Sequence, residues 1–142
     1  MTDNAQEQLM TEALAGGWPP LEYVKSPRRP KGYWIARLDV TDAEAYKTYV
    51  EANAVAFAKY GATFLTRGGP YWTLEGNSRS RNVILEFESV SQAMRCYWSP
   101  EYQVALNIRR GKAEADIIIM EGYNGPQPPE QPGDKANVRA AQ

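Results

Sequence analysis

Five charged residues occupy positions that the hydrophobic pattern assigns to β-strands or to the ends of strands. They are Arg37, Arg67, Arg81, Glu75 and Glu86. A charged side chain in a half-buried strand is usually paired with an opposite charge or engaged in a site. In a site, arginines can bind an anionic or enolate oxygen, and a desolvated glutamate can act as a general base. We therefore predict that Arg67 and Glu86 are catalytic. The other three are predicted to bind substrate.

Three polar residues on the predicted helices complete the candidate site. Asn53 falls inside the apolar stripe of the first helix, where an amide must find hydrogen-bond partners. Tyr102 and Arg109 share one face of the last helix with Leu106, at intervals of four and three residues. We predict that Asn53 is catalytic and that Tyr102 and Arg109 bind substrate. A satisfied amide, a packed tyrosine and a snorkelling arginine would produce the same pattern without a function.

The chain contains no histidine, and this excludes several catalytic classes. A Ser-His-Asp triad, a Cys-His pair and a proximal histidine for haem all require that residue. A zinc site would have to combine the single cysteine, Cys96, with carboxylates, and no spacing resembles a calcium-binding loop or a Walker A loop. Oxygen ligands could still form a weak Mg²⁺ or Ca²⁺ site, but we predict no metal and no cofactor. Cys96 has only Arg95 as a basic neighbour, which favours an unreactive thiol.

Composition predicts a small protein that is free in solution. Its 142 residues are 43% hydrophobic, enough for one core, and they contain no apolar run of membrane-spanning length. The 16 basic and 17 acidic residues almost cancel, so nucleic acid and anionic membranes are disfavoured as partners. The first residues lack the basic and apolar regions of a secretory signal, and a lone cysteine suits a reducing compartment. We expect a cytoplasmic protein.

The elements that must position the charged residues follow from hydrophobic periodicity and capping patterns. The predicted order is a strand at 33–40, a helix at 42–60, a hairpin of strands at 62–68 and 71–76, a strand at 82–87, helices beginning after Ser89 and Ser99, and a strand at 116–123. Thr41 and Glu44 have the spacing of a capping box, and Gly68-Gly69-Pro70 is the predicted hairpin turn. The last strand is apolar on both faces, which predicts burial on both sides.

Proline marks the predicted domain boundaries. Eight of the ten prolines lie outside the stretch from Lys31 to Gly125. Residues 1–30 are predicted to be an arm with a possible short helix, 31–125 the α+β domain, and 126–142 a disordered proline-rich tail. The arm carries Trp18, so it lies either on the domain or a neighbouring subunit, or is a disordered extension.

The predicted order is the ferredoxin-like βαββαβ arrangement, an α+β fold with a four-stranded antiparallel sheet. Five segments in the right order resemble the small bacterial family called domain of unknown function 1330: GYWIAR at 32–37, TRGG at 66–69, RNVILEF at 81–87, SPEY at 99–102 and EGY at 121–123. The resemblance covers roughly two thirds of the chain and neither arm. It implies a dimeric α+β barrel, in which two sheets face each other and a pocket forms between each sheet and its helices. That superfamily includes cofactor-free monooxygenases, isomerases, dehydratases and decarboxylases, so the resemblance implies no particular reaction.

A homodimer is also expected from the pattern itself. Helices cover one face of such a sheet, and the other face would expose large apolar residues unless a second copy covered it. The alternation places Arg37 and Glu86 on that second face, which favours an interface ion-pair network for these two residues. The stronger candidates for a pocket are then Asn53, the hairpin arginine Arg67, Tyr102 and Arg109.

Two functions remain open from the sequence. One is a cofactor-independent isomerase, lyase or monooxygenase that acts on a small carbonyl-bearing or aromatic metabolite by proton abstraction. The other is a non-catalytic homodimer that binds a small ligand or forms part of a larger assembly, with the N-terminal arm making the contacts. Whether the protein is an enzyme is not decided at this level.

Overall fold

The computed structural model describes residues 29–129 of the chain. In this part, four strands form one antiparallel sheet and three helices cover one of its faces. The elements are β1 (Gly32–Val40), α1 (Ala43–Tyr60), β2 (Thr63–Arg67), β3 (Arg81–Phe87), α2 (Val90–Trp98), α3 (Pro100–Arg109) and β4 (Ala113–Glu121). The predicted N-terminal helix and most of the predicted tail lie outside the described residues.

The strand order is β2-β3-β1-β4, and all neighbours are antiparallel. Trp34 on the central strand β1 lies opposite Leu85 of β3 and Ile119 of β4, so three apolar side chains form one row on the helix side. The α+β fold with a four-stranded antiparallel sheet, predicted from the sequence, is confirmed.

An aromatic core joins the sheet to the helices. Trp34 is almost completely buried, and its ring contacts those of Phe57, Phe87, Tyr97 and Tyr102 at centroid distances of 4.9 to 5.6 Å. Its indole N–H donates a 3.0 Å hydrogen bond to the carbonyl oxygen of Ala93 on α2. The only polar atom of this large side chain is therefore satisfied, and the rings hold all three helices against β1.

The helices begin and end at capping residues. Asp42, not Thr41, is the N-cap of α1, and its carboxylate accepts a 3.1 Å hydrogen bond from the Ala45 N–H. The predicted capping box was therefore wrong by one residue. Gly61 ends α1 in the left-handed conformation, as predicted. Ser89 and Ser99 are the N-caps of α2 and α3, also as predicted.

The predicted hairpin at 62–68 and 71–76 was wrong. β2 pairs directly with β3, and residues 68–80 form a loop. The loop is held by side chains, because Arg79 forms ion pairs with three carboxylates at the ends of β1 and β4, and the Ser80 N–H donates a 2.8 Å bond to Asp39. Trp72 and Leu74 in this loop are 81% and 90% exposed, so their alternating pattern has no sheet behind it.

β4 runs from Ala113 to Glu121, three residues earlier at its start than predicted, because its ladder with β1 extends to the pair of Val40 and Ala113. The sequence predicted that both faces of β4 are buried, but within the described chain only one face is. Ile117 and Ile119 pack against the core, whereas Ile118 and Met120 are exposed. The sheet therefore has one covered face and one open face.

Candidate functional site

A cleft opens between α1 and the sheet. Its cavity volume is about 30 Å³, and the 440 Å³ of empty space around it includes open solvent. Nine of its fourteen lining residues are apolar or aromatic, and they come from α1 and all four strands. The other five are Tyr46, Tyr49, Asn53, Arg67 and Arg81. Apolar walls with a few polar groups are typical of sites that bind small organic molecules.

A bulge in β2 places Arg67 in this cleft. Phe64 lies opposite Leu85 and Arg67 lies opposite Val83, with the register shifting between Phe64 and Thr66. Strict alternation predicts Phe64 and Arg67 on opposite faces, but the bulge brings both to the helix side. The Arg67 guanidinium lies 4.4 Å from the centroid of the Phe64 ring, a cation–π contact at the mouth of the cleft.

Arg81 enters the cleft from the first residue of β3. It shares the face of Val83 and Leu85, and its guanidinium lies 5.6 Å from the centroid of the Tyr46 ring. Gly68 supports this position, because its φ of 69° suits glycine and a Cβ there would collide with Nη1 of Arg81. The Nε of Arg81 is buried and has no hydrogen-bond partner among the described residues.

Tyr102 and Arg109 lie behind the cleft wall. The Tyr102 hydroxyl, completely buried, is 2.8 Å from the hydroxyl of Tyr49, which lines the cleft. Arg109 is 7% exposed, and its guanidinium lies 5.3 Å from the centroid of the Tyr49 ring. Burial raises the pKa of Tyr102 well above its ordinary value, so this hydroxyl is protonated at neutral pH. The two predicted pocket residues thus support Tyr49 and do not line the cleft themselves.

The cleft carries positive charge and no negative charge. Asn53 is 8% exposed and lines the cleft between the tyrosines and Phe57. No acidic side chain is among the lining residues, and burial together with the neighbouring Tyr49 raises the pKa of Tyr46. Its polar groups are therefore cationic or neutral, and they suit a ligand with negative charge or a polarised oxygen.

Three predicted site residues lie elsewhere. Glu86 is on the open face of the sheet, where its carboxylate accepts a 3.0 Å hydrogen bond from the Tyr33 hydroxyl. This bond raises the pKa of Tyr33. Arg37 lies on the same face and donates a 3.0 Å bond to the carbonyl oxygen of Asn77, and Glu75 is exposed in the loop. The structure thus brings Arg67, Arg81 and Asn53 together and keeps the two glutamates apart from them.

Two cleft residues were not predicted as site residues. They are Tyr46 and Tyr49 of α1. Together with Asn53 they occur at intervals of three and four residues, so the three polar tips share one helix face. That spacing was the available signal, because two hydroxyls and an amide on a buried face require partners.

The open face of the sheet has an ordered pattern of its own. Its central row contains Ile84, Ile35 and Ile118, which are direct neighbours across β3, β1 and β4. On one side of this row, Tyr33 lies between Glu86 and Met120. At the other end, Arg79 pairs with Asp39, Glu114 and Asp116. An apolar centre is thus bordered by paired polar groups.

Within residues 29–129, histidine, cysteine and carboxylate side chains form no group of three or more that could hold a metal ion. None of the helices in this range has the length and apolar character needed to cross a bilayer.

Comparison with solved structures shows the fold. The chain is similar to RPA0582, a protein of unknown function from Rhodopseudomonas palustris, with a TM-score of 0.61 and 16% identity over 88% of this chain and 96% of that one. The methylated RPA0582 protein gives a TM-score of 0.58 and 17% identity over 94% of this chain and 95% of that one. The comparison with curated proteins found no match. The family described as "Domain of unknown function (DUF1330)" matches residues 31–123, which include the strands and helices described within residues 29–129 and the whole cleft, and the chain belongs to that family.

Proposed function

We propose that this protein is a homodimer that binds a small organic molecule in the cleft between α1 and the sheet. The observation that carries the proposal is the composition of the cleft. Its walls are mostly apolar, and its few polar groups, Asn53, Arg67 and Arg81 among them, come from separate elements. This combination buries the body of a ligand and orients it by a small number of directed contacts.

The dimer is supported by the open face of the sheet. Ile35, Ile84 and Ile118 form an apolar row there, and Ile118 is 56% exposed within one chain. A second copy placed by a two-fold axis would bury this row against itself, since such an interface uses the same patch on both subunits. Burial of apolar surface is the main source of association free energy.

The polar groups of the cleft favour ligand binding over catalysis by proton abstraction. A general base must reach the proton that it removes, and the lining has no carboxylate that could do so. Glu86, the predicted base, lies on the opposite face of the sheet. We therefore propose that the protein binds a ligand without transforming it. Its cytoplasmic location stays a prediction from the sequence.

The cleft can be tested with a pair of matched variants. Val50 and Val55 are both on α1, but Val50 lines the cleft whereas Val55 is 60% exposed. Small organic fragments, neutral and anionic, would be titrated into the isotope-labelled protein and followed by NMR. We expect shift changes at Asn53 and Arg67 that Val50→Phe abolishes and Val55→Phe retains. Fragments that cause no changes at the cleft, or changes that both variants retain, would refute ligand binding at this site.

The dimer is tested separately by sedimentation of the unmodified protein. We expect a mass of two chains at micromolar concentration. A protein that stays monomeric at every accessible concentration would refute the dimer and leave the cleft proposal standing.

A further inference from the structure

We infer that the ligand of this cleft is a carboxylate attached to an apolar or aromatic body. This inference rests on the proposed function and specifies the chemical class of the ligand. It follows from the positive charge of the site, from a buried donor that has no partner, and from the character of the walls.

The two arginines of the cleft are close neighbours of like charge. Arg67 lies opposite Val83, two residues along β3 from Arg81 and on the same face. Diagonal neighbours of this kind are about 7–8 Å apart in a sheet. Within residues 29–129, neither guanidinium forms an ion pair with a carboxylate, although seven other ion pairs occur there. Two neighbouring cations without an anion repel each other, and a bound anion would relieve that repulsion.

The guanidinium groups of both arginines lie beside aromatic rings. The Arg67 guanidinium lies 4.4 Å from the centroid of the Phe64 ring, and that of Arg81 lies 5.6 Å from the centroid of the Tyr46 ring. The N–H groups of a guanidinium lie in its plane, where they can donate two parallel hydrogen bonds to one carboxylate. Nε of Arg81 is buried and has no partner among the described residues. A buried donor without a partner is costly, and a ligand oxygen that displaced the groups around Nε would relieve that cost.

The walls of the cleft indicate the chemical character of the rest of the ligand. Trp34, Phe57 and Phe64 line the cleft with six other apolar residues, so most of a bound molecule would touch hydrocarbon or aromatic surface. A highly charged or sugar-like ligand would leave many of its polar groups unpaired there. One carboxylate on a ring or short hydrocarbon chain suits both the arginines and the walls.

Three probes of similar shape test this inference: benzoate, its neutral isostere benzamide, and phenyl phosphate. Each would be titrated into the labelled protein, with the side-chain Nε–H signal of Arg81 as a direct reporter. Charge-assisted hydrogen bonds are roughly twice as strong as neutral ones, so we expect benzoate to bind at least about tenfold more tightly than benzamide. We also expect the Arg81 Nε–H signal to shift with benzoate.

Substitutions locate the effect. Arg67 is exposed at the mouth, so Arg67→Gln should leave the fold intact, and we expect it to remove most of the preference for benzoate over benzamide. Arg81→Lys keeps the charge but loses the planar fork, and should lower benzoate affinity without affecting benzamide. Arg110→Gln, at the exposed end of α3, is the control and should change neither affinity.

Each alternative result has a definite meaning. Equal binding of benzoate and benzamide at the cleft would overturn the carboxylate inference and leave the proposed function intact. Tighter binding of phenyl phosphate than of benzoate would also overturn it, in favour of a phosphate ligand. If none of the three binds at the cleft, the inference fails. The proposed function fails as well only if the neutral and anionic fragments of the earlier NMR titration also do not bind at the cleft.

Discussion

Replacement of Ile118 by aspartate should weaken the proposed dimer. Ile118 occupies the edge of the isoleucine row on the open face of the sheet and is 56% exposed within one chain. In a two-fold interface both copies lose the same contact, so the effect counts twice. The variant also places a carboxylate in an apolar interface, which adds a desolvation cost.

The size of the effect follows from burial. Complete burial of an isoleucine side chain stabilises by about 1.5–3 kcal/mol. With 56% of the side chain left to bury, one Ile118 contributes about 0.8–1.7 kcal/mol and the pair about 1.7–3.4 kcal/mol. The dissociation constant should therefore rise by at least about 20- to 300-fold, before the desolvation of the new carboxylates is included.

Sedimentation equilibrium over a range of protein concentrations measures this change. Val104→Asp is the control, because Val104 is 60% exposed but lies on α3, away from the open face. We expect its dissociation constant to equal that of the unmodified protein. The reasoning is refuted if Ile118→Asp associates as tightly as the unmodified protein, or if Val104→Asp weakens the dimer equally.

Three further predictions concern stability and reactivity. In Gly32→Ala, the new Cβ would lie 2.5 Å from the carbonyl oxygen of Ser89, so we expect a loss of about 1–3 kcal/mol in urea unfolding. At Gly69 a new Cβ would meet open space, so Gly69→Ala should change the free energy of unfolding by less than about 0.5 kcal/mol. Equal losses of unfolding free energy in the two variants would contradict the argument. Burial raises the pKa of the Cys96 thiol to about 12, so a thiol reagent at pH 8 should modify it only in denaturant, and rapid reaction of the folded protein would show that the thiol is accessible. The hydrogen bond from the Ser80 N–H is the main cause of the lowered pKa of Asp39. The ionised Asp39 carboxylate therefore stabilises the folded protein fully above the ordinary carboxyl pKa, and this stabilisation is lost as pH falls through the lower pKa of the folded state. The difference in melting temperature between the unmodified protein and Asp39→Asn should accordingly shrink in acid, and a constant difference would contradict this assignment.

Local patterns predicted most of the elements because they record local physical requirements. Ser89 and Ser99 were recognised as helix starts because a hydroxyl at that position satisfies a free backbone N–H, and Gly61 was recognised as a helix end because it tolerates a positive φ. The hairpin at 71–76 failed for the converse reason. Its alternation was real, but residues 71–76 do not pair with the outer edge of β2, and Arg79 and Ser80 hold the loop at the ends of β1 and β4 instead.

The site was less predictable because it combines distant parts of the chain. Tyr102 and Arg109 were correctly placed on a shared helix face, yet their side chains lie behind Tyr49 and do not line the cleft. Asn53 and Arg67 do line it, as predicted pocket residues, but their roles stay predictions. Which of several inward-pointing polar groups reaches an open space depends on how the layers pack, and sequence spacing does not encode that distance.

The sequence by itself determined the α+β fold, the family and the two faces of the central strands, because a period of two assigns each side chain of a regular strand to one face. It therefore placed Glu86 correctly on the side opposite the core. Only the tertiary structure decided that Arg67 joins Arg81 inside the cleft, because one bulge in β2 shifts the alternation and returns Arg67 to the helix side. The second positive charge of the cleft thus depends on a single irregularity that no periodic pattern predicts.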